Sequence, residues 1–213
     1  MRATPGGGGE WSPGAGAGTI GACVVCFPRG RGGAGVRGDP AWAAVVVICG
    51  RTLVAQASVA GEAGAPYAAG LLALREGPIL EAAVRALERR PDVLLVDATG
   101  RDHPRRAGLA LHLGAVLGLP TVGVTHRPLL AEGAWPDDRR GASVPLRLDG
   151  EVVGAWVRTR PGARPLAVHA AWRTSVGIAV EVVLEATWRH RTPEPLRCAR
   201  QLARTARAGG RGA

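Results

Sequence analysis

The chain has 213 residues, 46% of them apolar, which suffices for one buried core and reads as a single globular domain. No apolar stretch is long enough to span a bilayer, and neither end combines a charged start, an apolar run and a small-residue cleavage site, so membrane-spanning and exported classes are set aside and a cytoplasmic protein is expected. The net charge of +10 rests on 27 basic residues that are all arginine, which suits a polyanionic partner, although an excess of Ala, Gly, Arg and Pro is equally the mark of a GC-rich coding sequence.

Residues 1–18, MRATPGGGGEWSPGAGAG, have little to bury and read as a flexible leader. Three apolar segments rich in β-branched residues follow at 19–27, 43–49 and 52–59. A short turn at Gly50-Arg51 separates the last two, and the three read as an antiparallel meander. Cys23 and Cys26 form a C-x-x-C inside the first segment, where residues three apart point to opposite faces of a strand. No second ligand pair has zinc spacing, so buried small side chains are favoured over a redox or zinc site.

Residues 78–90 repeat apolar side chains at intervals of three and four with Pro78 in the first turn, which predicts an amphipathic helix. A fully apolar strand at 91–97 ends in Asp97, a helix is expected around 108–117, and a further strand at 121–125. Strand, helix, strand with continuous apolar runs predicts a buried parallel pair beside the meander. Segments 144–148 and 152–157 read as a second hairpin, 165–170 as a return strand, and 175–188 as a closing helix. The folded region is placed at 19–204 and a basic tail at 205–213, giving an α/β domain with a mixed sheet.

Two acids stand out by position. Glu76 lies just before the predicted helix, and Asp97 sits at the carboxyl end of a strand, where open α/β sheets build their sites. The cationic run HisProArgArg follows at 103–106. Carboxylates to hold a hard cation and arginines to hold phosphate are the minimal equipment for metal-assisted phosphodiester cleavage. Surface pairing of Glu76 or Asp97 with Arg75, Arg105 or Arg106 is the simpler alternative.

The order Pro-Tyr-x-x-Gly-Leu-Leu-x-x-Arg-Glu-x-Pro, Leu-Leu-Val-Asp, Gly-x-x-His-Pro-Arg-Arg-x-Gly-x-Ala-x-His-x-Gly and Pro-Thr-x-Gly-Val resembles endonuclease V between residues 19 and 200. The resemblance implies a ribonuclease H-like fold in which helices flank the mixed sheet. It also implies a DNA-repair monomer that hydrolyses a phosphodiester near deoxyinosine, or near inosine in RNA, with Mg2+ or Mn2+. On this resemblance Glu76 and Asp97 are metal ligands, and His103 and His126 join them in the catalytic set. Tyr67 matches the strand-separating wedge, with Ala69 or its neighbour where a second proline is expected. Gly70 and Leu72 match the pocket for the extruded base, and Arg105, Arg106 and His112 match contacts to the nucleic acid.

Four departures bear on chemistry. The first-strand aspartate expected of the family falls on Val24, which cannot coordinate a cation, and Asp39 is the nearest downstream acid, which would have to fold back to replace it. His126 stands where a lysine is expected, Ala98-Thr99-Gly100 replaces a glycine-rich turn, and the late motif reads Trp172-Arg173-Thr174-Ser175-Val176-Gly177 without its histidine and acid. Metal binding is therefore expected to be weakened, with a catalytically inactive nucleic-acid-binding homologue as the alternative.

Overall fold

The computed structural model describes residues 9–12, 18–29 and 35–209. The first apolar segments form β1 (Thr19–Cys26), β2 (Pro40–Cys49) and β3 (Thr52–Glu62), an antiparallel meander. Gly50 closes the β2–β3 turn at φ 55°, a left-handed conformation that costs glycine least. β4 (Val93–Val96) and β5 (Thr121–Thr125) run parallel to β1, and α2 (Leu109–Leu117) supplies the crossover between them. β6 (Ser143–Leu148) and β7 (Glu151–Val157) make the second hairpin, and β8 (Leu166–Ala170) returns antiparallel between β5 and β7. The result is one 8-stranded mixed sheet of order β3-β2-β1-β4-β5-β8-β7-β6.

Helices cover both faces, which is why the central strands are continuous apolar runs rather than alternating ones. Cys23, Val45, Leu94 and Val96 pack against α1 (Leu72–Arg85) and α2. Ile20, Val24, Val46 and Leu95 pack against α3 (Val176–Glu185) and α4 (Glu194–Gly209). Edge strand β3 keeps the exposed and half-buried alternation of a sheet margin. Among the described residues no helix is long and apolar enough to cross a membrane.

Two helices differ from their sequence reading. α1 starts at Leu72 rather than at residue 78 and ends at Arg85, so Glu76 lies inside a helix, not ahead of one. Pro78 marks no boundary here; it removes one backbone donor in mid-helix and frees the Leu74 carbonyl, which lies against Gly64, where a Cβ would collide with it. α3 ends at Glu185 and does not close the fold; α4 follows and runs to Gly209, into the stretch read as a tail. α4 has Pro195 in its first turn, a composition of good helix formers, and buried Leu196, Ala199 and Ala203 on one face.

Part of the leader is also engaged. Trp11 packs on the α3/α4 core, its N–H donates to the Arg173 carbonyl (2.8 Å), and Arg173 Nε donates to the Gly9 carbonyl (3.1 Å). Residues 1–8, 13–17 and 210–213 lie outside the described residues. Cys23 lies on the α1/α2 face and Cys26 Sγ is directed to the Ala203 carbonyl of α4 (3.2 Å), the opposite-face arrangement expected of their spacing.

Candidate nucleic-acid site

The β1–β4 ladder ends at the pair Cys23–Val96, so the next position on each strand brings Val24 beside Asp97. Val24 is 5% exposed and belongs to the core under α4. Glu76 approaches from α1. Its carboxyl is pushed up to about 7, first by burial and then by the neighbouring Asp97, with Arg75 opposing. The same two acids, after burial itself, hold the Cys23 thiol well above its usual range. Sequence order therefore did bring Glu76 and Asp97 together.

Asp97 carries an ion pair. Arg200 Nη2 of α4 donates to its Oδ2 at 2.7 Å, and both side chains are partly exposed. Neither Arg75, Arg105 nor Arg106 makes this pair. Arg75 is buried against Asp39 (2.8 Å), donates to the carbonyls of Val36 (3.0 Å) and Ala65 (2.9 Å), and stacks 4.4 Å from the Phe27 ring centroid. Asp39 also accepts from the Val36 N–H (2.8 Å), so it is built into this clamp and does not fold back to replace the acid absent at Val24.

The clamp positions the loop that precedes α1. Tyr67 N–H donates to the Gly35 carbonyl (3.2 Å), and the Tyr67 side chain stands 52% exposed. Gly70 takes φ 73°, and its carbonyl accepts from His103 Nε2 at 3.0 Å. His103 Nδ1 accepts from the Arg105 N–H at 3.1 Å, which assigns the ring proton to Nε2. His103 is buried with both nitrogens used by backbone; it ties the β4–α2 loop to the Tyr67 loop and offers no free proton donor or acceptor.

Tyr67, Gly70, Leu72, Thr99, His103 and Thr125 line a cleft of about 210 Å³ with Asp97 at its margin. That is below the roughly 300 Å³ at which pockets for drug-sized ligands begin and of a scale to take one base. A Cβ on Gly123 would strike the Ala98 carbonyl, so the Ala98-Thr99-Gly100 turn stacks tightly on β5 while Thr99 faces the cleft. A larger depression of about 570 Å³, lined by Arg101, Trp172 and Arg173 among others, contains neither Glu76 nor Asp97.

Behind Thr125 lies a buried polar chain. Thr125 Oγ1 donates to the Arg127 carbonyl (2.6 Å) and accepts from His169 Nε2 (2.9 Å). His169 Nδ1 faces Asp102 at 3.8 Å without a hydrogen-bond partner among the described residues, and burial pushes the ring below the usual histidine value against the pull of Asp102. Asp102 accepts from the N–H groups of Leu129 (2.6 Å), Leu130 (2.9 Å) and Ala131 (2.8 Å), which fixes the loop after β5.

That loop begins with His126, which is exposed beside the acids. Its ring is held below the usual histidine value by burial, then by Arg191, with Asp97 opposing and Arg200 adding to the depression, so it is neutral near pH 7 and carries no charge in place of a lysine. Arg105 is exposed near the cleft. Arg106 turns away: at φ 55° it donates to the Leu148 carbonyl (3.2 Å) and to Asp149 (2.9 Å) in the β6–β7 turn. His112 lies on the exposed side of α2 beside Gly77 of α1, outside the cleft. Neither Arg106 nor His112 lines the cleft.

Sequence reasoning does not reach Arg200, Thr125 or Arg191. Arg200 was legible in part, because Arg197, Arg200, Arg204 and Arg207 recur at helical spacing along one face of α4.

A family model for endonuclease V matches residues 33–201, a stretch that begins after β1 and Val24. This chain belongs to the endonuclease V family. An endonuclease V of Roseiflexus castenholzii is 42% identical over 172 residues, covering 80% of this chain and 78% of the relative. That of Nocardia farcinica is 45% identical over 167 residues, covering 76% and 73%. Among solved structures, endonuclease V of Streptomyces avermitilis superposes with TM-score 0.86 at 36% identity, covering 95% of this chain and 87% of that one. The catalytic domain of human endonuclease V gives 0.81 at 33%, covering 93% and 85%. The mixed sheet flanked by four helices is thus the ribonuclease H-like fold of endonuclease V.

Endonuclease V relatives are nucleases, and a hard divalent cation in such a site wants several oxygen ligands, carboxylates foremost. The donor set of this chain does not fit one. Val24 offers no donor, Asp97 is paired with Arg200, and the surroundings of Glu76 favour its neutral form. Among the described residues no group of three or more His, Cys, Asp and Glu could hold a metal ion.

Proposed function

We propose that this endonuclease V homologue reads deaminated nucleic acid: it takes an inosine base, in DNA or RNA, into the cleft beneath Tyr67, and its hydrolytic step is strongly reduced. The observation that carries this reading is the contrast between the two halves of one site. The cleft of Tyr67, Gly70 and Leu72 is braced by His103, whereas the cation place beside it holds Val24 and the Arg200–Asp97 pair. A flat ring such as Tyr67 can fill the space left by an extruded base, and a glycine at Gly70 lets backbone approach that base. Endonuclease V of Ciona intestinalis, solved with a 24mer DNA containing an inosine followed by a ribo-adenosine, supports the choice of base. Polarisation with strands that differ only in one inosine tests the reading. A preference of about tenfold for the inosine strand is expected, and equal affinity for both strands rejects it.

The second reading is a working Mg2+- or Mn2+-dependent nuclease of DNA repair, cleaving near the inosine. The juxtaposition of Glu76 and Asp97 favours it. Nicking of an inosine strand in Mn2+, absent in Asp97→Asn, would establish it.

A further inference from the structure

We propose that the Arg200 guanidinium stands where a divalent cation would sit, so that this protein holds the strand's phosphodiester through arginine and needs no metal to bind. The inference rests on the binding function proposed above and adds the means by which the backbone is gripped.

Three observations converge. α4 lies on the sheet face that carries Val24, and its Ala199 is fully buried in the same core, so the following residue is delivered to the carboxyl end of β4. There Arg200 meets Asp97 at 2.7 Å with its side chain only 26% exposed. With valine rather than an acid at position 24, Glu76 and Asp97 are the acids here, and the Arg200 guanidinium supplies a positive charge directly on one of them. Finally, the guanidinium has five N–H donors, and among the described residues its only partner is that one carboxylate oxygen. The remaining donors suit two oxygens of one phosphate.

The neighbours extend the grip along the strand. Arg204 and Arg207 follow Arg200 on the same helix face and share a shallow depression with Arg29 at the end of β1. Arg207 is steadied by the Phe27 carbonyl (2.9 Å), and Arg197, at the other end of the row, is paired with Glu194 (2.6 Å). The row leads away from the cleft margin at Asp97, a path along which successive phosphates of a single strand can be met.

The test is polarisation of a labelled single strand carrying one inosine, measured in EDTA and in Mn2+. Wild type is expected to bind within about twofold of the same affinity in both. Arg200→Ala should lose about tenfold in both, with the slope of log K against log salt smaller by about one, and Arg200→Lys should recover part of the loss. Asp97→Asn should bind as well as wild type or better, because it releases the guanidinium, whereas loss of a metal ligand would weaken binding. Affinity seen only with Mn2+, an Asp97→Asn protein that no longer binds, or an Arg200→Ala protein with native melting and unchanged affinity overturns the inference and leaves the binding function standing. If wild type binds no strand in either buffer, the binding function itself fails, and this inference with it.

Discussion

Arg200 Nη2 lies 2.7 Å from Asp97 Oδ2, and the residue beside Asp97 across the β1–β4 ladder is Val24. A carboxylate already neutralised by a guanidinium gains little from one more acid nearby. Val24→Asp is therefore expected to show no Mn2+-dependent nicking of an inosine strand, and Val24→Asp combined with Arg200→Gln is expected to gain it. Cleavage by the single variant would show that Arg200 does not hold the site.

Glu76 links the site to stability. Its folded value is raised to about 7 by burial and then by Asp97. The unfolded carboxyl ionises near 4.3, so ionisation costs the fold nothing below that point and an increasing amount as pH rises towards 7. Glu76→Gln removes the cost. It should stabilise the metal-free protein on the order of 3–4 kcal/mol at pH 8 and by little at pH 4. Urea midpoints across that range decide, and a variant destabilised equally at both ends contradicts the assignment.

His103 braces the cleft by donating its Nε2–H to the Gly70 carbonyl. His103→Ala should release the Gly70 turn and lower the preference for inosine over a plain strand about tenfold, as expected for one buried hydrogen bond worth about 1–3 kcal/mol. Affinity for the plain strand should hold. An equal loss on both strands would mean that the histidine serves binding in general.

Arg75 joins β1, the 35–39 loop, the Tyr67 loop and α1 through Asp39, Val36, Ala65 and Phe27. Removing one partner of a buried pair costs about 3–5 kcal/mol. Arg75→Leu should lose that much in urea unfolding, and Arg75→Leu with Asp39→Leu should lose less than the single change. A loss below about 1 kcal/mol for the single variant would show the clamp to be incidental.

Continuous apolar runs made β1, β4 and β5 legible, because burial on both sheet faces leaves that pattern in sequence, and two short apolar segments close together in the chain did the same for β6 and β7. Motif order brought Tyr67, Gly70, Leu72, His103 and Asp97 to one cleft. α1 was displaced because Pro78 resembles a helix start and here lies within one. α4 was obscured by a core face of small side chains, Ala199 and Ala203, inside an arginine-rich stretch that reads as tail. A motif fixes residue order and not side-chain direction, so the Arg106 contact with Asp149 in the β6–β7 turn was not legible. The Arg200–Asp97 contact spans 103 residues and carries no local signal at all.

On the proposed function, the base-reading half of the site works without the cation half. The most direct measurement is a single-turnover nicking assay of wild-type protein, in excess over a labelled inosine strand, in Mn2+ and in EDTA, with binding followed in the same samples. A bound and intact strand is expected in both. Cleavage that requires Mn2+ and disappears in Asp97→Asn would contradict it.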